Sequence, residues 1–96
     1  SVDKVKPKNL INNSNIIVDE LISNPYFKLH KAEIKNKENI SSLYKDVPFI
    51  LISCIEGKGK INNEEILKNE SVVLTTDELS NIEVEGNIVL LIGYPK

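Results

Sequence analysis

His30 is the only histidine of the 96-residue chain, and imidazole is the side chain best suited to proton transfer near neutral pH. It lies in an alternating stretch between Lys28 and Lys31. Neither a second histidine nor a pair of neighbouring carboxylates accompanies it. The pattern therefore favours a half-exposed strand residue over a general base, and no catalytic residue is predicted here.

Cys54 is the only cysteine, so an internal disulfide is excluded. A reactive cysteine needs nearby positive charge to stabilise its thiolate. The run Phe49–Ile55 around Cys54 is apolar apart from Ser53, and no basic residue lies within three positions on either side. The sequence predicts a buried, unreactive thiol.

Two pairs of glutamates could be taken for catalytic carboxylates. Glu64 and Glu65 are consecutive, and consecutive strand residues point to opposite faces. Glu83 and Glu85 share a face, but they alternate with apolar residues. That alternation is typical of the solvated outer face of a strand, so neither pair is predicted to act on a substrate.

The segment Gly57-Lys58-Gly59-Lys60 has the composition of a phosphate-binding loop. Such a loop needs a helix N-terminus directly behind its glycines. Strand-like sequence follows instead, so a turn over Glu56–Gly59 is predicted and no cofactor-binding residue is assigned.

These residues must be positioned by β-structure, because short apolar segments recur every eight to twelve residues between turn signals. The pattern predicts an all-β, antiparallel barrel or sandwich of roughly eight short strands. A bulge is expected near Lys31, and Asp19–Ile22 fits either a short strand or one helical turn. A tight hairpin is expected around Asn62-Asn63, with further turns at Asn69-Glu70 and Gly86-Asn87. The Phe49–Ile55 segment is expected to be buried on both faces, with Leu51 and Ile55 in the core.

Composition limits the possible partners. The formal net charge is −2, with 41% hydrophobic and 27% charged residues, so no basic surface for nucleic acid or membrane is indicated. All basic residues are lysine, and enrichment in Ile, Lys and Asn is typical of an AT-rich bacterial genome. The polar N-terminus lacks a secretory segment, which predicts a cytoplasmic protein. Residues 1–15 are interpreted as a connector from a missing upstream domain, and residues 16–96 as one domain.

Four segments in order carry a family resemblance. The run 48–61 resembles the central hairpin of cupin domains, and 66–75 resembles the element that follows it. Residues 24–34 and 82–95 resemble the first and last parts of the C-terminal domain of bacterial, zinc-dependent mannose-6-phosphate isomerase. The resemblance implies a cupin-type jelly roll and a parent reaction that interconverts mannose 6-phosphate and fructose 6-phosphate.

Metal-binding cupins carry histidines and a glutamate at set spacings. When that motif is aligned on Gly57 and Asn69, the four ligand positions hold Tyr44, Asp46, Ile50 and Ser80. One possible ligand in four remains, so no metal is predicted in this chain. The resemblance implies that zinc belongs to the N-terminal barrel of the parent enzyme.

The resulting hypothesis is a non-catalytic C-terminal cupin domain whose partner is the N-terminal catalytic domain of the same protein, with sugar phosphate bound only by the intact enzyme. The alternative is a free-standing degenerate cupin that binds a sugar or a protein partner.

Overall fold

In a computed structural model that describes residues 6–96, nearly all regular structure is β-strand. The only helical element in this range is a single 3₁₀ turn, Ser41–Tyr44. The strands are β1 Lys8–Asn12, β2 Ile16–Ser23, β3 Phe27–Ile34, β4 Lys37–Asn39, β5 Phe49–Ile61, β6 Glu64–Leu67, β7 Ser71–Thr75, β8 Glu83–Glu85 and β9 Ile88–Pro95.

All strand pairings are antiparallel, as the sequence predicted. The main path of the curled sheet is β1-β2-β3-β9-β5-β8-β4, and β6 and β7 also pair with β5. The 13-residue strand β5 therefore joins both halves of the sheet. The described residues form nine strands, against about eight expected.

The sequence predicted that the domain begins at Ile16, but regular structure begins earlier, at Lys8. Strand β1 pairs with β2, and its residues Leu10 and Ile11 pack against the core. Residues 8–12 therefore belong to the sheet, although the local sequence shows little periodicity. Residues 1–5 lie outside the described range, and the connector from an upstream domain stays a prediction.

The prediction of a turn over Glu56–Gly59 is wrong, because β5 continues through these residues without reversing direction. The register between β5 and β9 shifts between Cys54 and Glu56, and Gly57 has a φ of +74°. A bulge at this point bends the strand and lets β5 leave β7 and continue beside β6. The glycine supplies positive φ for a bulge rather than for a hairpin.

Strand β5 buries only one face. Ile50, Ile52 and Cys54 face the core, whereas Leu51 is 43% exposed and Ile55 is half-buried. The expectation that Leu51 and Ile55 lie in the core is therefore wrong. An apolar strand can carry hydrophobic residues on both faces even when one sheet face is open.

Strand β3 itself has no bulge near Lys31, since it pairs continuously with β9 from Phe27 to Ile34. The change of phase in the sequence arises because Phe27 and Leu29 lie on the outer face. The irregularity is in β2 instead, between Glu20 and Ile22. Glu20 continues the inward alternation of Ile16 and Val18 and lies opposite His30, and the bulge after it turns Ile22 to the outer face. Asp19–Ile22 is therefore strand.

The predicted hairpin turns are confirmed. Asn62 and Asn63 both have positive φ and connect β5 to β6, while Asn69 and Gly86 supply positive φ in the next turns. Among the described residues, no helix is long and apolar enough to cross a membrane.

Candidate functional site

Five polar or aromatic side chains meet on the inner face of the sheet, at one end of the core. Glu20 comes from β2, Lys28 and His30 from β3, Tyr94 from β9, and Tyr44 from the 3₁₀ turn. Cross-strand register brings four of them together, because Glu20 pairs with His30 and Lys28 pairs with Tyr94. This group is the interior polar cluster.

His30 lies at the centre of the cluster and is 2% exposed. Its Nδ1 is 3.0 Å from the Tyr44 hydroxyl, and its Nε2 is 3.2 Å from Glu20 Oε1. A carboxylate only accepts, so Nε2 donates to Glu20 and Nδ1 accepts the Tyr44 proton in the neutral ring. Burial lowers the pKa of His30, and the Glu20 hydrogen bond opposes that effect only in part.

Glu20 carries the negative charge of the cluster. Burial by itself raises the pKa of this carboxyl, but hydrogen bonds from His30 and Lys28 outweigh it, so the net pKa is lowered. The Lys28 Nζ is 3.2 Å from Glu20 Oε1. The carboxylate is thus held ionised between a buried imidazole and a partly exposed ammonium.

Aromatic rings close the space around the imidazole. Tyr94 meets both His30 and Tyr44 edge to face, at centroid distances of 5.2 and 5.3 Å. Burial raises the pKa of both tyrosines, so both remain protonated at neutral pH. The interior at this end is filled by packed rings.

Within the interior polar cluster, both ring nitrogens of His30 already have hydrogen-bond partners. A general base needs a lone pair directed at a substrate proton. In the neutral ring of His30, Nδ1 already accepts from Tyr44 and Nε2 carries the proton given to Glu20. Among the described residues, no buried side-chain nitrogen or oxygen lacks a hydrogen-bond partner. The geometry is that of a structural core network with Lys28 at its rim.

Sequence reasoning placed His30 incorrectly, as a half-exposed residue without a carboxylate. Its partners come from 10, 14 and 64 positions away, so no local pattern reveals them. The only available signal was Tyr44, which stands at a histidine position of the cupin motif and donates to His30.

The four motif positions do not converge on one point. Tyr44 joins the interior polar cluster and Ile50 is a core residue, but Asp46 and Ser80 are exposed. Among residues 6–96, no three His, Cys, Asp or Glu side chains are grouped as metal ligands would be. One imidazole beside one carboxylate does not fit the three protein ligands of a catalytic zinc site.

The remaining candidates stay apart from the cluster. Cys54 is buried, its sulfur is 3.4 Å from the Glu56 carbonyl oxygen, and burial raises the pKa of its thiol. Glu64 and Glu65 are both exposed. Glu83 pairs with Lys37 at 3.4 Å, and Val84 beside it is buried, as expected of an outward-facing glutamate.

A separate open groove of about 530 Å³ lies at the far end of the sheet. Its lining includes the aliphatic side chains of Ile17 and Val89 and the polar side chains of Asn15, Glu33 and Glu56. It contains none of the residues of the interior polar cluster. Its size is within the range of small-molecule sites.

No family model and no curated protein matches the chain. Several solved structures match it. The mannose-6-phosphate isomerase from Bacillus subtilis has 16% identity and a TM-score of 0.71, covering 95% of this chain and 29% of the isomerase. An RmlC-like cupin protein from Desulfovibrio desulfuricans has 14% identity and a TM-score of 0.67, covering 96% of this chain and 97% of that protein.

A third match is a tyrosine-to-phenylalanine variant of Streptomyces PAC13 with uridine, at 11% identity and a TM-score of 0.65, covering 98% of this chain and 83% of that one. The chain therefore has a cupin fold, which confirms the predicted fold class. It spans under a third of the isomerase.

Proposed function

We propose that this chain is the non-catalytic C-terminal cupin domain of a mannose-6-phosphate isomerase. The observation that carries the proposal is the match of nearly the whole chain to 29% of the Bacillus subtilis enzyme, with a TM-score of 0.71. The order of the four resembling segments along the sequence supports the same assignment.

The interior polar cluster supports the non-catalytic part of the proposal. Aldose–ketose isomerisation moves a proton between two adjacent sugar carbons and needs a base in reach of them. His30 is enclosed by Tyr44 and Tyr94, and both of its nitrogens are engaged. His30 is therefore surrounded by protein side chains and is not open to a substrate.

In this proposal, zinc and sugar phosphate are bound in the intact enzyme by its N-terminal catalytic domain. That domain is the proposed partner of this chain, and the setting is the bacterial cytoplasm. The role of the C-terminal domain is architectural: it packs against the catalytic domain and helps to wall the substrate cleft.

The test begins with the reading frame upstream of Ser1, which is expected to encode a second barrel with a His/Glu zinc cluster. The encoded full-length enzyme and the 96-residue chain are then assayed for conversion of mannose 6-phosphate to fructose 6-phosphate. We expect turnover only from the full-length enzyme, with loss of activity or stability after truncation before Ile16. Chelator-resistant turnover by the 96-residue chain alone would refute the proposal.

The second candidate is a free-standing cupin that binds a sugar or a protein partner. It is favoured by the match to the Desulfovibrio desulfuricans protein over 97% of that chain, and by the groove between Asn15 and Val89. An upstream frame without a barrel would favour this candidate. Titration of the ¹⁵N-labelled chain with neutral disaccharides would then be expected to shift the amides of Asn15, Gly57 and Asn87.

A further inference from the structure

One end of the outer face of the sheet is apolar, and the residue types of that end are symmetric about β9. One row runs in register across five strands: Val73, Leu51, Gly93, Leu29 and Ile22. The types read the same from either end, with a β-branched residue, a leucine, the central glycine, a leucine and a β-branched residue. These five positions, with Phe27 and Phe49, are called the outer apolar face.

The neighbouring row repeats the symmetry. Phe27 pairs with Pro95 on one side of β9. Phe49 precedes Leu51 by two residues and so lies on the same face. Extending the β5–β9 register by two residues from the Leu51–Gly93 pair places Phe49 beside Pro95 on the other side. Phe27 and Phe49 are exposed to nearly the same extent, 43% and 42%. A leucine and a phenylalanine therefore flank β9 on each side.

We propose that this face is the interface between two copies of the chain, related by a two-fold axis parallel to β9. A two-fold interface brings the same surface patch of both copies together, so the patch must be complementary to itself. Rotation about this axis reverses the order of strands and keeps the position along them. It therefore places Leu51 against Leu29 of the second copy, Phe49 against Phe27, and Gly93 against Gly93.

Gly93 makes the close approach possible. A Cβ at this position would have only ordinary contacts within the chain, 3.8 Å from Leu29 Cδ1 and 3.9 Å from the Lys28 carbonyl oxygen. The fold itself does not require a glycine there. The missing side chain leaves a shallow depression between Leu51 and Leu29, where the two sheets can come together.

The expected association is weak. With strands about 4.8 Å apart and same-face residues about 6.8 Å apart, two rows across five strands cover roughly 300–500 Å² per copy. Stable interfaces bury about 800 Å² per partner. The sheet is also curled with this face outward, which concentrates the contact on β5, β9 and β3. The dimer should therefore form at high micromolar to millimolar concentration rather than at nanomolar concentration.

The test is sedimentation equilibrium of the full chain from about 10 µM to 1 mM, with folding of every variant checked by circular dichroism and thermal melts. The wild-type average mass should rise from 10.8 kDa towards twice that value. Leu51→Lys should weaken association about tenfold or more. Leu67→Lys is the matched control, because Leu67 is 41% exposed but lies on β6, outside the face. It should have no effect.

Two further variants test the geometry. Gly93→Val enlarges the apolar surface, so it would strengthen non-specific association, but it should weaken a dimer that needs close approach at β9. Leu51→Lys mixed with Leu29→Glu should restore association, because the axis places these two positions opposite each other, while each variant alone stays monomeric.

A monomeric wild type at 1 mM would overturn the proposal. It would mean that another domain or partner, and not a second copy, covers the outer apolar face. Equal effects of Leu51→Lys and Leu67→Lys would also overturn it, as would stronger association of Gly93→Val or a mixture that stays monomeric. None of these outcomes depends on isomerase activity, so the proposal can fail or succeed independently of the proposed function.

Discussion

Glu20 and His30 face each other across β2 and β3, with 3.2 Å between Glu20 Oε1 and His30 Nε2. The register of β2 and β3 sets this relationship, because Glu20 continues the inward alternation of Ile16 and Val18 and pairs with His30. The bulge after Glu20 then turns Ile22 to the outer face. The pair joins a fully buried imidazole to the surface ammonium of Lys28. Protonation of His30 is therefore expected to change the free energy of unfolding of the domain.

The free energy of unfolding should fall as the pH falls below about 6.5. The pKa of His30 in the fold lies below its ordinary value of 6.5, mainly through burial, so the unfolded chain binds the proton more readily. Stability from neutral His30 is therefore present above pH 6.5 and lost as pH decreases towards the folded pKa. The lowered pKa of Glu20 acts in the same direction below about 4.5.

Urea unfolding at pH 8, 6.5, 5.5 and 4.5 measures this loss, and NMR titration of the imidazole measures the pKa of His30 directly. His30→Gln should remove the part of the pH dependence that begins just below pH 6.5. Glu20→Gln should lower the pKa of His30 further, because the carboxylate favours the protonated ring. A His30 pKa above 6.5 would contradict the geometry described for the cluster.

Tyr44→Phe should destabilise the fold by about 1–3 kcal/mol, because it leaves the buried Nδ1 of His30 without a donor. Tyr44 is fully buried, so water cannot replace the lost hydroxyl easily. Tyr26→Phe is the matched control. Tyr26 is 81% exposed, and its change should stay within about 0.5 kcal/mol. Equal denaturation midpoints for the two variants would show that the Tyr44–His30 hydrogen bond contributes little.

Local signals in the sequence were sufficient for the fold class and for the turns at Asn62-Asn63, Asn69 and Gly86, but not at Glu56–Gly59, where a bulge stands in place of the predicted turn. Alternation of apolar residues predicted strands, and Asn62-Asn63 predicted a hairpin. Local signals could not predict the interior polar cluster. Its contacts join residues on three strands and one turn, and strand register, which no local pattern determines, decides that Glu20 meets His30.

The sequence did not predict the outer apolar face, and the reason is different. Phe49–Ile55 is apolar at nearly every position, so alternation could not reveal which residues point inwards. The pairing with β7 and β9 decides it, and Leu51 falls on the open side. A bulge and a turn both use a glycine at positive φ, so the residue type at Gly57 does not distinguish them.

Two adjacent residues of β5 should therefore respond very differently to truncation. Ile52→Ala removes a fully buried side chain and should cost about 2–5 kcal/mol. Leu51→Ala removes a half-open one and should cost less than about 1 kcal/mol. Urea melts at low protein concentration, where self-association is negligible, provide the comparison. The reverse order of the two losses would mean that the faces of β5 are exchanged.

Gly57→Ala should destabilise the domain by about 1–3 kcal/mol, because the bulge holds this residue at positive φ. A Cβ there would also clash with the backbone carbonyl oxygen of Asn87. Gly93→Ala is the matched control, since the space beside Gly93 accepts a methyl group. Its free energy of unfolding should change by less than about 0.5 kcal/mol. If both variants unfold at the same urea concentration, the bulge is not needed for stability.

Cys54 should react with thiol reagents only when the sheet opens. Its side chain is 1% exposed, and burial raises the pKa of the thiol, so little thiolate is present in the folded protein at neutral pH. Labelling with an aromatic disulfide reagent should be slow in buffer and should accelerate with urea in step with unfolding. Ser53→Cys in a Cys54→Ala background is the control, because position 53 lies on the half-open outer face beside Ser71. That thiol should react at least tenfold faster without denaturant, given its access to solvent. Rapid labelling of native Cys54 would instead show that the β5–β9 pairing opens locally, well before the domain unfolds.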